Sequence, residues 1–222
     1  MQVRELDTTQ AHERDRFVDF VFDLYKDAPL WVPPLRSDAL SGLDKSKHPY
    51  YQHSVADFFI VEEDGRTLGR MSMLENSRYN DYHSSRTAFF GYFEVVENRE
   101  AAHALLARGV EWARARGLDT IIGPRGLVGI DGSVLVEGFE HRPALTIPWN
   151  YPYYDDFITS FGFVKDADYL SGYVRGDAIL PERVRQSPPR SRNGAALQSR
   201  HSRAGLKFAS GSPEHWRSIA RR

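Results

Sequence analysis

The chain contains no cysteine, which excludes a disulfide framework, a thiolate metal site and a cysteine nucleophile, and fits a reducing compartment. It has no run approaching the roughly 18 apolar residues of a membrane span. Met1-Gln2-Val3-Arg4-Glu5 lacks the character of a signal peptide. The expectation is a cytoplasmic protein with no membrane partner. His48, His53 and His83 share a region rich in Tyr, Asn and Asp but lack metal-ligand spacing, so hydrogen-bonding histidines in ordered loops are expected and no metal site. What the chain does have is apolar bulk. Its 222 residues are 41% hydrophobic and 13% aromatic, enough for one globular domain plus an appendage.

The formal net charge of −1 conceals an asymmetry. Residues 186–222 hold eight Lys/Arg and one acid, net +7, which leaves residues 1–185 with 21 basic and 29 acidic side chains, net −8. An acidic body is a poor nucleic-acid surface, so nucleic acid is expected only through the basic tail. In residues 186–222, Ser, Arg, Pro and Gly fill 20 of 37 positions and no amphipathic period survives. The expected organisation is a folded domain over 1–180 and a basic tail over 181–222 that does not fold alone. The abrupt change near Leu180-Pro-Glu-Arg-Val-Arg185 suggests a shifted reading frame or a truncated gene.

Hydrophobic spacing sets out the elements. Val3 to Leu6 reads as a short strand, and Phe17, Phe20, Val21, Leu24 and Tyr25 form one face of a helix that should stop near Asp27, ahead of Pro29. Ala56–Val61 and Thr67–Leu74 flank Asp64-Gly65 and predict an antiparallel hairpin. Thr87–Val96 (TAFFGYFEVV) reads as a strand buried on both faces, with Glu94 on the face of Phe90, Tyr92 and Val96. Asn98 is a good N-cap for a helix to Arg116, ended by Gly117 and followed by a strand over Asp119–Ile122. Strand, helix, strand predicts a parallel pair with a right-handed crossover. Beyond a loop-rich stretch, Val134–Glu137 suggests a short strand. Tyr153–Phe161 is read as a helix capped by Gly162, and Phe163–Val174 as a closing strand or bent pair.

This order of elements, with its Phe161-Gly162-Phe163 ending, resembles the GNAT (acyl-CoA-dependent N-acyltransferase) fold. Trp31-Val-Pro-Pro-Leu-Arg36, His48-Pro-Tyr-Tyr-Gln-His53, Arg78-Tyr-Asn-Asp-Tyr-His83 and Phe89-Phe-Gly-Tyr-Phe-Glu94 are similar to strings in one little-described branch of larger GNAT-like proteins. So are Gly123-Pro-Arg-Gly126, Val136-Glu-Gly-Phe-Glu-His-Arg-Pro143 and Pro148-Trp-Asn-Tyr-Pro-Tyr-Tyr154. The similarity covers roughly residues 12 to 175 and matches the N-terminal domain of such proteins, which typically continue into a further one. It implies an α/β (α+β) fold, a mixed twisted sheet flanked by helices.

The resemblance also implies chemistry: transfer of an acetyl or other acyl group from acyl-CoA to a primary amine. Phe93, Glu94, Val95 and Val96 match the strand segment that pairs with the pantetheine arm. The glycine-rich pyrophosphate loop of GNAT enzymes has no counterpart here, because Glu97-Asn98-Arg99-Glu100 is shorter and glycine-free. Asn98 and Arg99 would bind the phosphates, unless the helix start is simply capped. Glu94 is a candidate base, the alternative being a Glu paired with an Arg or a Tyr hydroxyl across the sheet. Ile158 stands where many GNAT enzymes place an acidic Tyr, so that role passes to Tyr153 or Tyr154, each of which also suits the core. Arg125, beside glycines at three-residue spacing (Gly126, Gly129 and Gly132), is a candidate substrate ligand or a salt-bridging residue, and Trp149 and Asn150 are candidate cleft residues or plain packing. The rival reading is a catalytically degenerate module that binds a ligand or partner.

Overall fold

The computed structural model describes residues 1–127 and 132–172, and the backbone of one strand, Leu206–Ala209. Seven strands form one mixed sheet: β1 Gln2–Glu5, β2 Ser54–Glu63, β3 Arg66–Asn76, β4 Thr87–Val95, β5 Thr120–Gly123, β6 Val164–Lys165 and β7 Leu206–Ala209. Their spatial order is β1-β2-β3-β4-β5-β7-β6, with β4 and β5 parallel and every other neighbour antiparallel. The expected hairpin is present. Asp64 and Gly65 take φ of 48° and 78°, the two left-handed residues that a tight two-residue turn needs.

The helices are α1 Ala11–Leu24, α2 Arg36–Leu43, α3 Ser77–His83, α4 Arg99–Ala115 and α5 Tyr153–Phe161. They cover both sheet faces. In β2, Phe59 and Val61 join the core under α4 and α5, while Ala56, Phe58 and Ile60 join the core under α1 and α2. This period-two alternation in an apolar run is what a central strand requires. α4 buries Ala102, Leu105, Leu106, Val110 and Ala113, the stripe expected from its spacing, together with Ala101 and Trp112, and Asn98 caps it by accepting the Ala101 N–H at 2.9 Å. Gly162 at φ 116° ends α5, as only a residue tolerant of the left-handed region does readily.

Several details differ from the sequence reading. The helices α2 and α3 were not anticipated, the second being capped by Asn76, whose side chain accepts the Tyr79 N–H at 3.0 Å. Val134–Glu137 forms no strand, because the Leu135 N–H turns to Asn150 Oδ1 at 2.7 Å rather than to a neighbouring strand. The closing strand shrinks to Val164–Lys165, with 173–174 outside the described residues. Within the segment expected to be an unfolded tail, Leu206–Ala209 pairs with both β5 and β6. The rest of 181–222 lies outside the described residues. Among those described, no helix is long and apolar enough to cross a membrane.

The site is positioned by an irregularity in β4. The β3–β4 register passes from Arg70↔Glu94 to Ser72↔Gly91, so two β4 residues face the single Met71, and Tyr92 adopts φ 46°. This bulge resets the alternation. Phe90 and Phe93 therefore both face α4 and α5, whereas Tyr92 faces the α1 side. Glu94 shares a face with Tyr92 and not, as the uniform pattern implied, with Phe90 and Val96, which pack in the opposite core.

Candidate functional site

β4 pairs with β5 only over Thr87–Phe89, after which the two strands part. Into the gap come the chain after β5 and the start of α5. Together with β3 and β4 they bound a cleft of about 120 Å³. Six of the residues singled out in the sequence line it: Phe93, Glu94, Arg125, Trp149, Asn150 and Tyr154.

Glu94 is the centre of the polar network. Its Oε2 accepts the Tyr25 hydroxyl at 2.6 Å and the Tyr154 hydroxyl at 2.7 Å. Tyr25 is the C-cap residue of α1 and Tyr154 lies in the first turn of α5, so opposite layers converge on one carboxylate oxygen. Arg70 stands directly across the ladder, donates Nη1 to the Phe17 carbonyl at 2.7 Å and covers the Phe17 ring at 4.9 Å. It is 5% exposed. Burial pushes the Glu94 carboxyl up, partly offset by the Arg70 charge and the two phenols. Burial and the Glu94 charge in turn hold both phenols well above the usual tyrosine range.

The backbone of β4 beyond the bulge is already engaged. Val95 N–H donates to the Tyr154 hydroxyl at 2.9 Å, and the Tyr153 hydroxyl donates to the Val95 carbonyl, also at 2.9 Å. Val96 N–H bonds the Leu68 carbonyl at 2.9 Å. The Val95 N–H and carbonyl are thus both held by α5. At the start of α4, Asn98 satisfies a helix N–H, and Arg99 is paired with Asp156. The described residues there form a capped helix start.

The remaining candidates divide. Trp149 donates Nε1 to the Phe139 carbonyl at 3.3 Å and presents its ring to Tyr25, which also stacks on Trp31. Asn150 is a loop clasp: its amide bonds Leu135 N–H at 2.7 Å and the Tyr151 carbonyl at 2.9 Å. Arg125 does not make the salt bridge weighed for it among the described residues. Its guanidinium lies over Phe89 at 4.9 Å and Tyr79 at 5.6 Å. His48 and His53 hydrogen-bond to Tyr50 N–H and Ser54 Oγ, as expected of ordered loops.

Two members of the network escaped the sequence reading. Tyr25 was assigned only to the apolar face of α1, and nothing local marks its hydroxyl. Arg70 did carry a signal, a lone cation inside the apolar run Leu68–Leu74 facing a strand that contains a lone carboxylate.

No protein-family model matches the chain. It is similar to protein YghO of Escherichia coli strain K12, 26% identical over 163 residues that cover 72% of this chain and 41% of that protein. It is also similar to a bacterial ceramide synthase of Caulobacter vibrioides, 23% identical over 172 residues, 77% of this chain and 45% of that enzyme. The chain spans less than half the length of these curated relatives. Among solved structures, a tandem GNAT protein from the clavulanic acid biosynthesis pathway superposes with a TM-score of 0.51 at 18% identity, over 74% of this chain and 44% of that one. The fold is GNAT-like, a mixed sheet flanked by helices.

Proposed function

We propose that this GNAT-like chain carries an N-acyltransfer site in which Glu94 takes the proton of a primary amine. The observation behind the reading is the Glu94 carboxyl itself, set on the cleft, gripped by two phenols and raised in pKa by burial. A primary amine is protonated at neutral pH and must lose a proton to attack an acyl carbon. A carboxylate of raised pKa is a better acceptor for that proton than an ordinary one. Aromatic walls supplied by Tyr92, Trp149 and Tyr154 suit a cationic amine. The name of one relative, a ceramide synthase, denotes amide formation on an amine, which supports the same acceptor class.

An acetyl-CoA or longer acyl-CoA would supply the activated acyl carbon. The cleft, smaller than the roughly 300–1,000 Å³ of whole-ligand pockets, suits only the reacting end of such a donor. Tyr25 and Tyr154 serve here as hydrogen-bond donors that hold the carboxylate, and Tyr153 holds the Val95 carbonyl. None is a good acid toward a departing thiolate, since an ordinary thiol titrates near about 8.5 and these phenols keep their protons well above that. The acid role expected of Tyr153 or Tyr154 is replaced by positioning.

A second reading, a ligand- or partner-binding module without turnover, is favoured by the occupied Val95 backbone and the capped start of α4. Calorimetric titration with acetyl-CoA and longer acyl-CoAs, followed by mass spectrometry of amides formed from a panel of primary amines, separates the two. The transferase reading expects saturable acyl-CoA binding and an amide product. Absence of binding at millimolar donor leaves the module.

A further inference from the structure

Arg125 lines two cavities, and only the first contains Glu94. The second, also about 120 Å³, is floored by Leu74, Phe89 and Leu127 and carries polar groups from three separate elements. The Tyr50 hydroxyl is buried there, its residue 6% exposed, and makes no hydrogen bond of good geometry. The neighbouring Ser54 oxygen, which the Tyr50 hydroxyl also faces, engages His53 Nδ1 and the Ser77 N–H. Asn76 uses its carbonyl oxygen as the cap of α3 and lines the cavity, its amide N–H groups making none of the hydrogen bonds among the described residues. The Arg125 guanidinium rests on two aromatic rings and, among the described residues, has no anionic partner. None of the described residues lining this cavity is acidic.

Among the described residues this partly apolar cavity gathers one cation and two neutral donors with no carboxylate, and a buried donor left unpaired, as the Tyr50 hydroxyl is here, costs about 1–3 kcal/mol. We propose that this cavity binds a small carboxylate, held by the Arg125 guanidinium, the Tyr50 hydroxyl and the Asn76 amide. A guanidinium presents a fork of two N–H donors, and that fork matches the two oxygens of a carboxylate. Charge also favours a monoanion. It balances Arg125, whereas a phosphate dianion would bring a second negative charge against apolar walls with no cation to meet it. Four water-sized volumes of about 30 Å³ fill such a space, which admits a carboxyl group and a short stem. The site is independent of the role given to Glu94.

The test is calorimetric titration of the full chain with sodium acetate and, in parallel, inorganic phosphate, at ionic strength matched with chloride. The expected result is saturable acetate binding with Kd on the order of 1 mM. Arg125→Met should weaken it by about tenfold or more, and Tyr50→Phe by roughly three- to tenfold, at unchanged thermal unfolding. Glu94→Gln should leave it unchanged. Arg125→Lys, which keeps the charge but not the fork, should fall between wild type and Arg125→Met. The proposal is overturned by lack of saturation at about a hundredfold higher acetate, by wild-type affinity in the Tyr50 and Arg125→Met variants, by tighter binding of phosphate than acetate, or by loss of binding in Glu94→Gln.

Discussion

The Tyr25 hydroxyl donates to Glu94 Oε2 at 2.6 Å across 69 residues of sequence, tying the end of α1 to the central strand at the point where that strand bulges. Tyr25→Phe removes one of the two phenolic donors to a buried carboxylate. Folding stability should fall by about 1–3 kcal/mol in urea unfolding. The lost donor was one of the influences lowering the Glu94 carboxyl, so its pKa should rise further and the acid limb of any Glu94-dependent acyl transfer should move to higher pH.

Glu94 also leaves a mark on stability against pH. Its folded-state pKa is raised by burial, so between the ordinary value of about 4.3 and the folded value the native state holds more protons than the unfolded one. Its contribution is fully present below about 4.3 and is lost as pH climbs through the folded pKa. Glu94→Gln lacks this titration. The wild-type-minus-variant stability difference, measured by denaturant unfolding at a series of pH values, should therefore decline as pH rises through that window. A flat difference would mean that burial does not raise Glu94.

Asp57 behaves in the opposite way. Burial alone would raise it, but Lys45 at 2.8 Å, the Trp112 indole at 2.7 Å and Arg116 at 3.0 Å outweigh burial and hold it low. Arg116 lies over the Trp112 ring at 4.0 Å, so the network links β2 to the last turn of α4. Asp57→Asn should cost about 3 kcal/mol at neutral pH. That cost should shrink as acid takes the wild type from its ordinary value near 3.9 through the lower folded pKa.

Gly91 sits where the chain leaving β5 crosses β4, with Arg125 N–H on the Phe90 carbonyl at 2.7 Å. A Cβ at this position would overlap the Arg125 carbonyl. Gly91→Ala should destabilise by about 1–3 kcal/mol, the range for overpacking. It should also displace Arg125, weakening acetate binding in the same preparation that shows the lowered melting temperature.

Much of the frame was legible because its signals are local. Asp64-Gly65 announces a tight turn, Asn98 and Gly117 bracket α4, and Gly162 ends α5 within the residues expected. The bulge was not legible. TAFFGYFEVV reads as uniform alternation, and only pairing with β3 reveals that Tyr92 breaks it, which is why Glu94 keeps Tyr92 on its face but not Phe90 and Val96. Tyr25 was invisible as a site residue for a related reason: a phenol on an apolar helix face looks like packing until its partner, 69 residues away, is known. Asn150 stands among aromatics and lines the cleft, but the sequence does not show that its amide also bonds loop backbone. The short helices α2 and α3 have too few turns for a period to show.

The central claim is that Glu94 accepts the amine proton. The most direct measurement is the single-turnover rate of amide formation from acyl-CoA and a primary amine, compared between wild type and Glu94→Gln across pH. The account predicts a loss of about 10²- to 10⁴-fold in the variant, together with disappearance of the acid limb, at unchanged acyl-CoA affinity. A Glu94→Gln variant that forms amide at the wild-type rate with the wild-type pH profile would contradict it.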